Sequence, residues 1–499
     1  MIRRSLAPLL LALAIAFVSS GAARAALFVP TKTADGADGA CDADCSLREA
    51  VTAANSHTGE DVILLRSGTY TLTLPGSEDA GGAGDLDLLG DLVLMGDGAD
   101  DTIVDGGAVD RILQVHGGVT VELRDLALRN GRSTGAGGAV LNEGTLIVER
   151  CLLSGNGSVT GAGDGGAIAS VGASSQLTVD HSALVSNQAQ ARGGAILLGG
   201  AGTLRNVTIA DNLAGTEGGG AYVTSAAHVT LNNVTIADNE AVTRGGGLLA
   251  EITAFVGFAP RLDNTIVAQN NAPSGPDCAG DVDTGYSLIA NGAGCNGPSA
   301  ANHDKVGIAA RLDTLQNLGG TTPVMPLHVA SGPPGLDFNS PAIDAGNPAP
   351  PGSGSGACEA SDQRGATRPY GASCDMGAYE LSEQCVTGGK TLCLVGNRFA
   401  VTAHWRTGSG DDGFGQAIQL TPDSGVFWFF GPDNVEITVK VLDACSFNNR
   451  FWVFASGTTN VEVVLSVVDT QERSAKSYTN PLGKPFVPIQ DTSALATCP

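Results

Sequence analysis

Residues 203–214 read TLRNVTIADNLA and lead into Gly218-Gly219-Gly220-Ala221-Tyr222, and 230–241 read TLNNVTIADNEA and lead into Gly245-Gly246-Gly247-Leu248-Leu249. The same line recurs with drift as VELRDLALRNG (121–131), LIVERCLLSGNG (146–157), LTVDHSALVSNQ (177–188) and RLDNTIVAQNN (261–271). Each closes on an asparagine, Asn130, Asn156, Asn187, Asn212, Asn239 and Asn270, so the steps are 26, 31, 25, 27 and 31 residues. Helical repeats do not absorb such unequal steps without breaking their packing face, whereas coils of short strands vary freely in their turns.

Ahead of each asparagine the apolar residues alternate, as in Val207/Ile209 and Val234/Ile236, which is the two-residue period of a strand. A Gly-Gly turn and a second short strand follow, for example 195–198. Coils stacked at the inter-strand distance of about 4.8 Å place equivalent residues above one another, so Asn156, Asn187, Asn212, Asn239 and Asn270 are expected to form a buried ladder. Each amide then donates to one neighbour and accepts from the other, avoiding a cost of about 1–3 kcal/mol per unpaired polar group. Asn130 lies two residues past Leu128, not three, and fits this register least well. Cys151 occupies the place of Val207 and Val234 and is expected to point inward, unpaired.

The Asn…GGA lines resemble the repeats of polymorphic outer-membrane proteins. That resemblance implies an all-β fold, a right-handed parallel β-helix of the pectin-lyase-like kind, over about a third of the chain.

Bulk composition agrees with a solenoid. At 499 residues the chain exceeds one compact core unless that core grows by adding coils. Its 70 glycines are about twice the usual ~7% and have no collagen period. With 27 basic against 51 acidic residues, a net charge of −24, nucleic acid is excluded as a partner. Such a surface keeps a protein soluble and is also compatible with bound calcium. No other cofactor is implied.

Residues 1–25 carry Arg3-Arg4, an apolar run and an Ala23-Arg24-Ala25 cleavage site, and read as a secretory signal peptide. The expected location is therefore secreted, periplasmic or cell-surface, with no membrane span after the leader is removed. In CDADCSLREAVTAAN (41–55) Ser46 can cap a helix and Glu49 closes a capping box. Cys45-Ser46-Leu47-Arg48-Glu49-Ala50 spells the name of the CSLREA domain, which this stretch resembles, and the expectation for 26–60 is a helical cap over the exposed coil edge.

Short apolar runs between Gly/Asp turns carry the solenoid over 61–340. From Ser340 through AIDAGNP and DQRGATRPYGASCDMGAYE, residues 341–384 resemble the choice-of-anchor Q module, which in its family precedes a cell-envelope sorting signal. Beyond Cys385 the chain holds all three tryptophans and alternating runs such as RFAVTAHWR and RFWVFASG, so 385–499 is expected to form an antiparallel β-sandwich. The eleven cysteines pair on this reading as Cys41–Cys45, Cys278–Cys295, Cys358–Cys374, Cys393–Cys445 and Cys385–Cys498, with Cys151 left over.

No reaction centre assembles from the sequence. Gly131-Arg132-Ser133-Thr134-Gly135 fits a nucleophile-elbow pattern but lacks the helix that must follow, and Gly161, Gly163 and Gly166 lead into a strand, not a phosphate-binding helix. Asp180 and Asp263 share a coil position with Glu149 and Arg205, while Arg192 and Arg244 precede Gly-Gly turns. The function expected is binding or display, adhesin-like, toward a polysaccharide, an extracellular matrix or a cell-envelope component. The rival is a polysaccharide lyase or glycoside hydrolase acting along one strand face. Aromatics at the rod's far end give 385–499 a possible docking role of its own.

Overall fold

The computed structural model describes residues 25–76, 81–161, 163–251, 258–329, 339–354, 356–382, 385–472 and 474–498. The leader before Ala25 lies outside the described residues. What forms is a parallel β-solenoid followed by antiparallel sheets.

One turn of the solenoid begins with a bent strand pair, for example Thr145–Glu149 and Leu152–Ser154. Its inward columns run Leu123, Val148, Val179, Leu204, Leu231, Leu262 and Leu128, Leu153, Leu184, Ile209, Ile236, Val267, each residue opposite the next across a parallel ladder. All twelve are buried. The bend is a single left-handed residue, at φ 46–52° in Asp125, Arg150, His181, Asn206, Asn233 and Asn264. Asn and Asp tolerate that conformation best among residues with a Cβ. It restarts the side-chain alternation, so Val207 and Ile209 point inward just as Leu204 does. Cys151 takes the Val207 place, fully buried and unpaired, its thiol pushed up to about 12 by desolvation.

A second left-handed residue turns the corner into the asparagine ladder. Asn212 shows the pattern: its side-chain amide donates to Leu184 O, Ala210 O and Asn239 Oδ1, while its own Oδ1 accepts from the backbone N–H and the amide of Asn187. Asn156, Asn187, Asn239 and Asn270 repeat it. Asn130 stands one place early, at the corner with φ 58°, and Gly131 takes the ladder position, donating its N–H to Asn156 Oδ1 at 2.9 Å.

Two-residue strands such as Gln188–Ala189 follow, and then the Gly-Gly corner. Its first glycine is left-handed, as at Gly193 with φ 67°, and a Cβ on the second, Gly194, would overlap the Gly219 carbonyl of the next coil. Three-residue strands, Ile196–Leu198 among them, complete the turn in a nine-stranded sheet.

At the N-terminal end the helix Leu47–Asn55 is capped by Ser46 with the complete Glu49 capping box. Leu47, Ala50, Val51 and Ala54 join the solenoid's own core. Arg48 is fully buried, its guanidinium held by Asp35 and by the carbonyls of Gly81, Gly84 and Asp85.

After the last coil strand, Lys305–Val306, the chain turns back. Residues 311–327, 339–354 and 356–382 run as a strap of turns along the flank of the bent strands. Thr208 Oγ1 donates to Gln363 Oε1 at 2.6 Å, Asn233 Oδ1 accepts from the Glu359 N–H, Asn264 Oδ1 from the Asn347 N–H, and His181 meets Ser361. Several outward residues under the strap are small, with Ala183, Ala210 and Ala237 packed against Met325, while the larger Ile266 packs with Met376 and Tyr379. Within the strap Arg364 pairs with Asp362 and Arg368 with Glu380, all four buried.

The terminal part is two antiparallel five-stranded sheets. One joins Leu392–Leu394, Phe399–Arg406, Glu462–Asp469, Ser474–Asn480 and Asp412–Phe414. The other joins Gln416–Thr421, Ser424–Trp428, Val435–Asp443, Phe451–Gly457 and Ile489–Leu495. Phe399, Phe427 and Phe451 fill the space between them.

Disulfides join Cys41 to Cys45, Cys278 to Cys295 and Cys358 to Cys374. The pairings Cys393–Cys445 and Cys385–Cys498 are incorrect. Cys385 bonds Cys393, because the Cys385 N–H donates to Asn397 O and brings 385 beside the strand that holds 393. Cys445 bonds Cys498, because the strand following Cys445 pairs with the strand preceding Cys498, with Phe451 opposite Leu495.

Candidate functional site

Outward residues of the strand segments before the bend form a polar strip. Arg124, Glu149, Asp180, Arg205, Asn232 and Asp263 stand opposite one another in successive coils. The shared coil position read for Glu149, Asp180, Arg205 and Asp263 is thus a single row. Two residues back along each strand run Thr203, Thr230 and Arg261.

The strap segments 350–354 and 356–359 lie along the C-terminal half of this strip and border a cleft of about 580 Å³, lined by Arg205, Asn232, Arg261, Asp263, Gly356 and Glu359 among others. Asn232 is its hub. The amide donates to Glu359 Oε1 at 2.9 Å and Ala357 O at 2.8 Å, and its oxygen accepts from Asn264 at 2.7 Å. Gly356, left-handed at φ 76°, brings the backbone so close that a Cβ would lie 3.0 Å from Asp263 Oδ1. The Cys358–Cys374 bond ties this wall down.

Asp263 receives two hydrogen bonds of 2.8 Å from Arg261, yet burial pushes its carboxyl above the usual carboxylate range against that pull. Arg205 is less committed. Its Nη2 lies 3.6 Å from Asp180 Oδ2, and its buried Nε has no hydrogen-bond partner among the described residues. The other acids of the strip are engaged, Glu149 by Arg124 and Arg150 and Asp180 by His181.

Arg192 and Arg244 lie elsewhere, at the Gly-Gly corner. Arg192 pairs with Asp164 at 2.7 Å and covers the Tyr222 ring, and Arg244 pairs with Glu217 at 2.6 Å, which makes them structural ties between coils. Sequence reasoning did not single out Asn232, Arg261 or Glu359. Asn232 was readable as an outward polar position in the strip and Arg261 as one beside it, whereas Glu359 arrives from 127 residues beyond Asn232.

A larger recess of about 810 Å³ lies where the strap meets the terminal sheets, with Leu315, Leu327, Phe414 and Val468 in its walls. Its charged members Asp313, Arg364 and Asp469 are tied to His328, Asp362 and Arg398. Among the described residues no group of three or more His, Cys, Asp or Glu converges to hold a metal ion. No helix of the described residues is long and apolar enough to cross a membrane.

No family model matches the chain, and no curated protein matches it. Among solved structures, the catalytic unit of a thermostable GH87 alpha-1,3-glucanase from Streptomyces thermodiastaticus strain HF3-3 is similar at 15% identity and a TM-score of 0.17. The match covers 54% of this chain and 66% of that one, just under two thirds of its length. So low a score carries no argument about this chain, and the β-solenoid rests on its own ladders.

Proposed function

We propose that this chain is an exported scaffold that acts by binding or surface display toward a polysaccharide, an extracellular matrix or a cell-envelope component, without catalysis. The observation that carries this reading is the state of the carboxylates in the strip. Asp263 is held by Arg261, Glu359 by Asn232 and Glu149 by Arg124 and Arg150, and Asp180 lies 2.8 Å from His181 Nδ1 and 3.6 Å from Arg205. Glycoside hydrolysis requires two carboxyl groups free to face the scissile bond, one carrying a proton and one ionised. What the cleft offers instead is a mosaic of guanidinium, amide and hydroxyl groups suited to hydrogen-bonding a hydroxyl-rich ligand.

The leader, the CSLREA-like hexapeptide and the five disulfides support export to an oxidising compartment. The choice-of-anchor-like segment is the strap in this reading. Incubating the full chain with pectin, alginate, glycosaminoglycans and neutral glucans, with and without calcium, tests the proposal. Binding without new reducing ends or unsaturated uronates is the expected result, and reproducible cleavage overturns it.

One observation favours a glycoside hydrolase as the second reading: Asp263, whose carboxyl burial pushes above the usual carboxylate range, shares the cleft with Glu359. In that case Asp263→Asn abolishes cleavage and leaves binding in place.

A further inference from the structure

Phe399, Phe427, Phe429, Phe451 and Phe486 fill the terminal sandwich, with Trp405 and Tyr478 packed against them, and Phe447, Trp452 and Phe454 have no place in that core. Three of them gather on the outer face of one sheet. Trp452 and Phe454 alternate outward from the strand that sends Phe451 and Val453 inward, and Phe447, 79% exposed, stands above them on the short helix Cys445–Asn448. Phe447 and Trp452 meet edge to face with centroids 5.4 Å apart, and Trp452 and Phe454 are 6.1 Å apart at 72°.

This array is fixed in place. The Trp452 indole N–H donates to Asn448 Oδ1 at 2.9 Å, and the Asn448 amide donates to Thr492 O at 2.9 Å. Leu442 lies opposite Trp452, and Lys440 and Gln490 lie opposite Phe454 on either side. The aromatic rings are thereby rimmed by the Asn448 and Gln490 amides and the Lys440 ammonium.

We propose that this face, centred on Phe447, Trp452 and Phe454, binds an uncharged polysaccharide, with the C–H faces of its sugar rings against the aromatic rings and its hydroxyls on the surrounding amides. Rigid rings with polar neighbours give large contact area at low entropic cost. Charge decides against the other polymers: a chain of net −24 repels polyanions and anionic membrane surfaces, whereas a neutral glycan meets no such penalty. The surface is separate from the solenoid cleft, and the proposal stands even if that cleft binds nothing.

Native affinity electrophoresis of the full chain in gels cast with dextran, laminarin, glucomannan or xylan, and with polygalacturonate for comparison, provides the test. Retardation by at least one neutral polymer is expected. Phe447→Ala and Trp452→Ala each weaken it about tenfold, the worth of one lost stacking surface. Leu420→Ala, at another exposed apolar position on the sandwich, leaves it unchanged, and thermal melting verifies that every variant folds. Absence of retardation by all four neutral polymers, retardation by polygalacturonate alone, or equal retardation of the aromatic variants overturns the proposal. Binding lost in Arg205→Ala but kept in both aromatic variants places the polymer in the solenoid cleft, sinking this inference while leaving the scaffold reading intact. A dimer that Trp452→Ala dissociates, without glycan binding, overturns it in favour of a second copy.

Discussion

Asp277 accepts two hydrogen bonds from Asn270, one from its backbone N–H and one from its side-chain amide, both at 3.0 Å. These are the two bonds that every earlier ladder asparagine makes to the next, so a carboxylate terminates a row of amides. Its other oxygen accepts from the Asn291 N–H at 2.6 Å. The row therefore begins at a backbone donor, Gly131, and ends at an acceptor that donates nothing onward.

Interrupting that row is destabilising. Asn212→Leu leaves the Asn187 N–H and one Asn187 amide hydrogen without their acceptor and removes the Leu184 and Ala210 carbonyls' amide donor, while Asn239 Oδ1 keeps only the backbone N–H of residue 212, costing about 1–3 kcal/mol for each stranded group against about 1–2 kcal/mol gained by apolar burial. Hydrogen exchange detects it as lost amide protection in the coils of Asn187 and Asn239. Asp211→Asn, on the exposed corner at φ 57°, keeps full protection because asparagine fits that conformation. Equal behaviour of the two variants contradicts the ladder.

The Gly-Gly corner makes an independent prediction. Gly194→Ala places a methyl against the Gly219 carbonyl and the Leu213 backbone, neither of which can rotate away. A loss of about 3 kcal/mol, at the upper end for overpacking, is expected in denaturant unfolding. A stability equal to the parent's shows that the coils can spread.

How far the sequence was legible follows from where the contacts lie. The asparagines, the Gly-Gly turns and the alternating strands repeat at one-coil separations, and repetition makes them visible. The slip at Asn130 was visible as a two-residue spacing, but not that Gly131 fills the vacated place, since a backbone N–H has no sequence signature. The strap was illegible as a strap: Gln363 reaches Thr208 across 155 positions with no periodicity to mark it. In hindsight the small outward residues of the VTIA lines, Thr208, Ala210, Thr235 and Ala237, signalled a covered flank. The terminal cysteine pairs failed because strand order within a sandwich is not contained in the alternation of its strands.

Those pairs rank by loop length. On the chain-entropy model the Cys445–Cys498 bond, with a separation of 53, contributes about 4 kcal/mol, and Cys385–Cys393, with a separation of 8, about 2.5 kcal/mol. The Cys445→Ser/Cys498→Ser double variant is thus expected to melt the terminal sheets at lower temperature than Cys385→Ser/Cys393→Ser. The reverse order in calorimetry refutes the ranking.

Acid should loosen the same sheets through Asp469. Burial pushes its carboxyl up, but hydrogen bonds from Arg398 and from the Gln471 and Glu472 N–H groups more than offset this, so it titrates below the usual carboxylate range. A folded-state value below the unfolded one means stability present above about pH 4 and lost as pH falls through the folded value. Asp469→Asn removes that part of the acid sensitivity and, by stranding the Arg398 guanidinium, costs about 3 kcal/mol at neutral pH. Melting curves from neutral to acid pH compare the two, and parallel pH profiles contradict the assignment.

The strap changes what kind of object the rod is. A bare solenoid is a stack whose coils detach one after another from an end, because each touches only its neighbours. Here one later segment grips His181, Thr208, Asn233 and Asn264, in four successive coils, and is locked to itself by Cys358–Cys374. None of those coils can peel away without first lifting a clasp shared by the other three. The middle of the rod is therefore all-or-none, with fraying confined to the turns outside the clasp, a useful property where proteases wait for a single loosened loop.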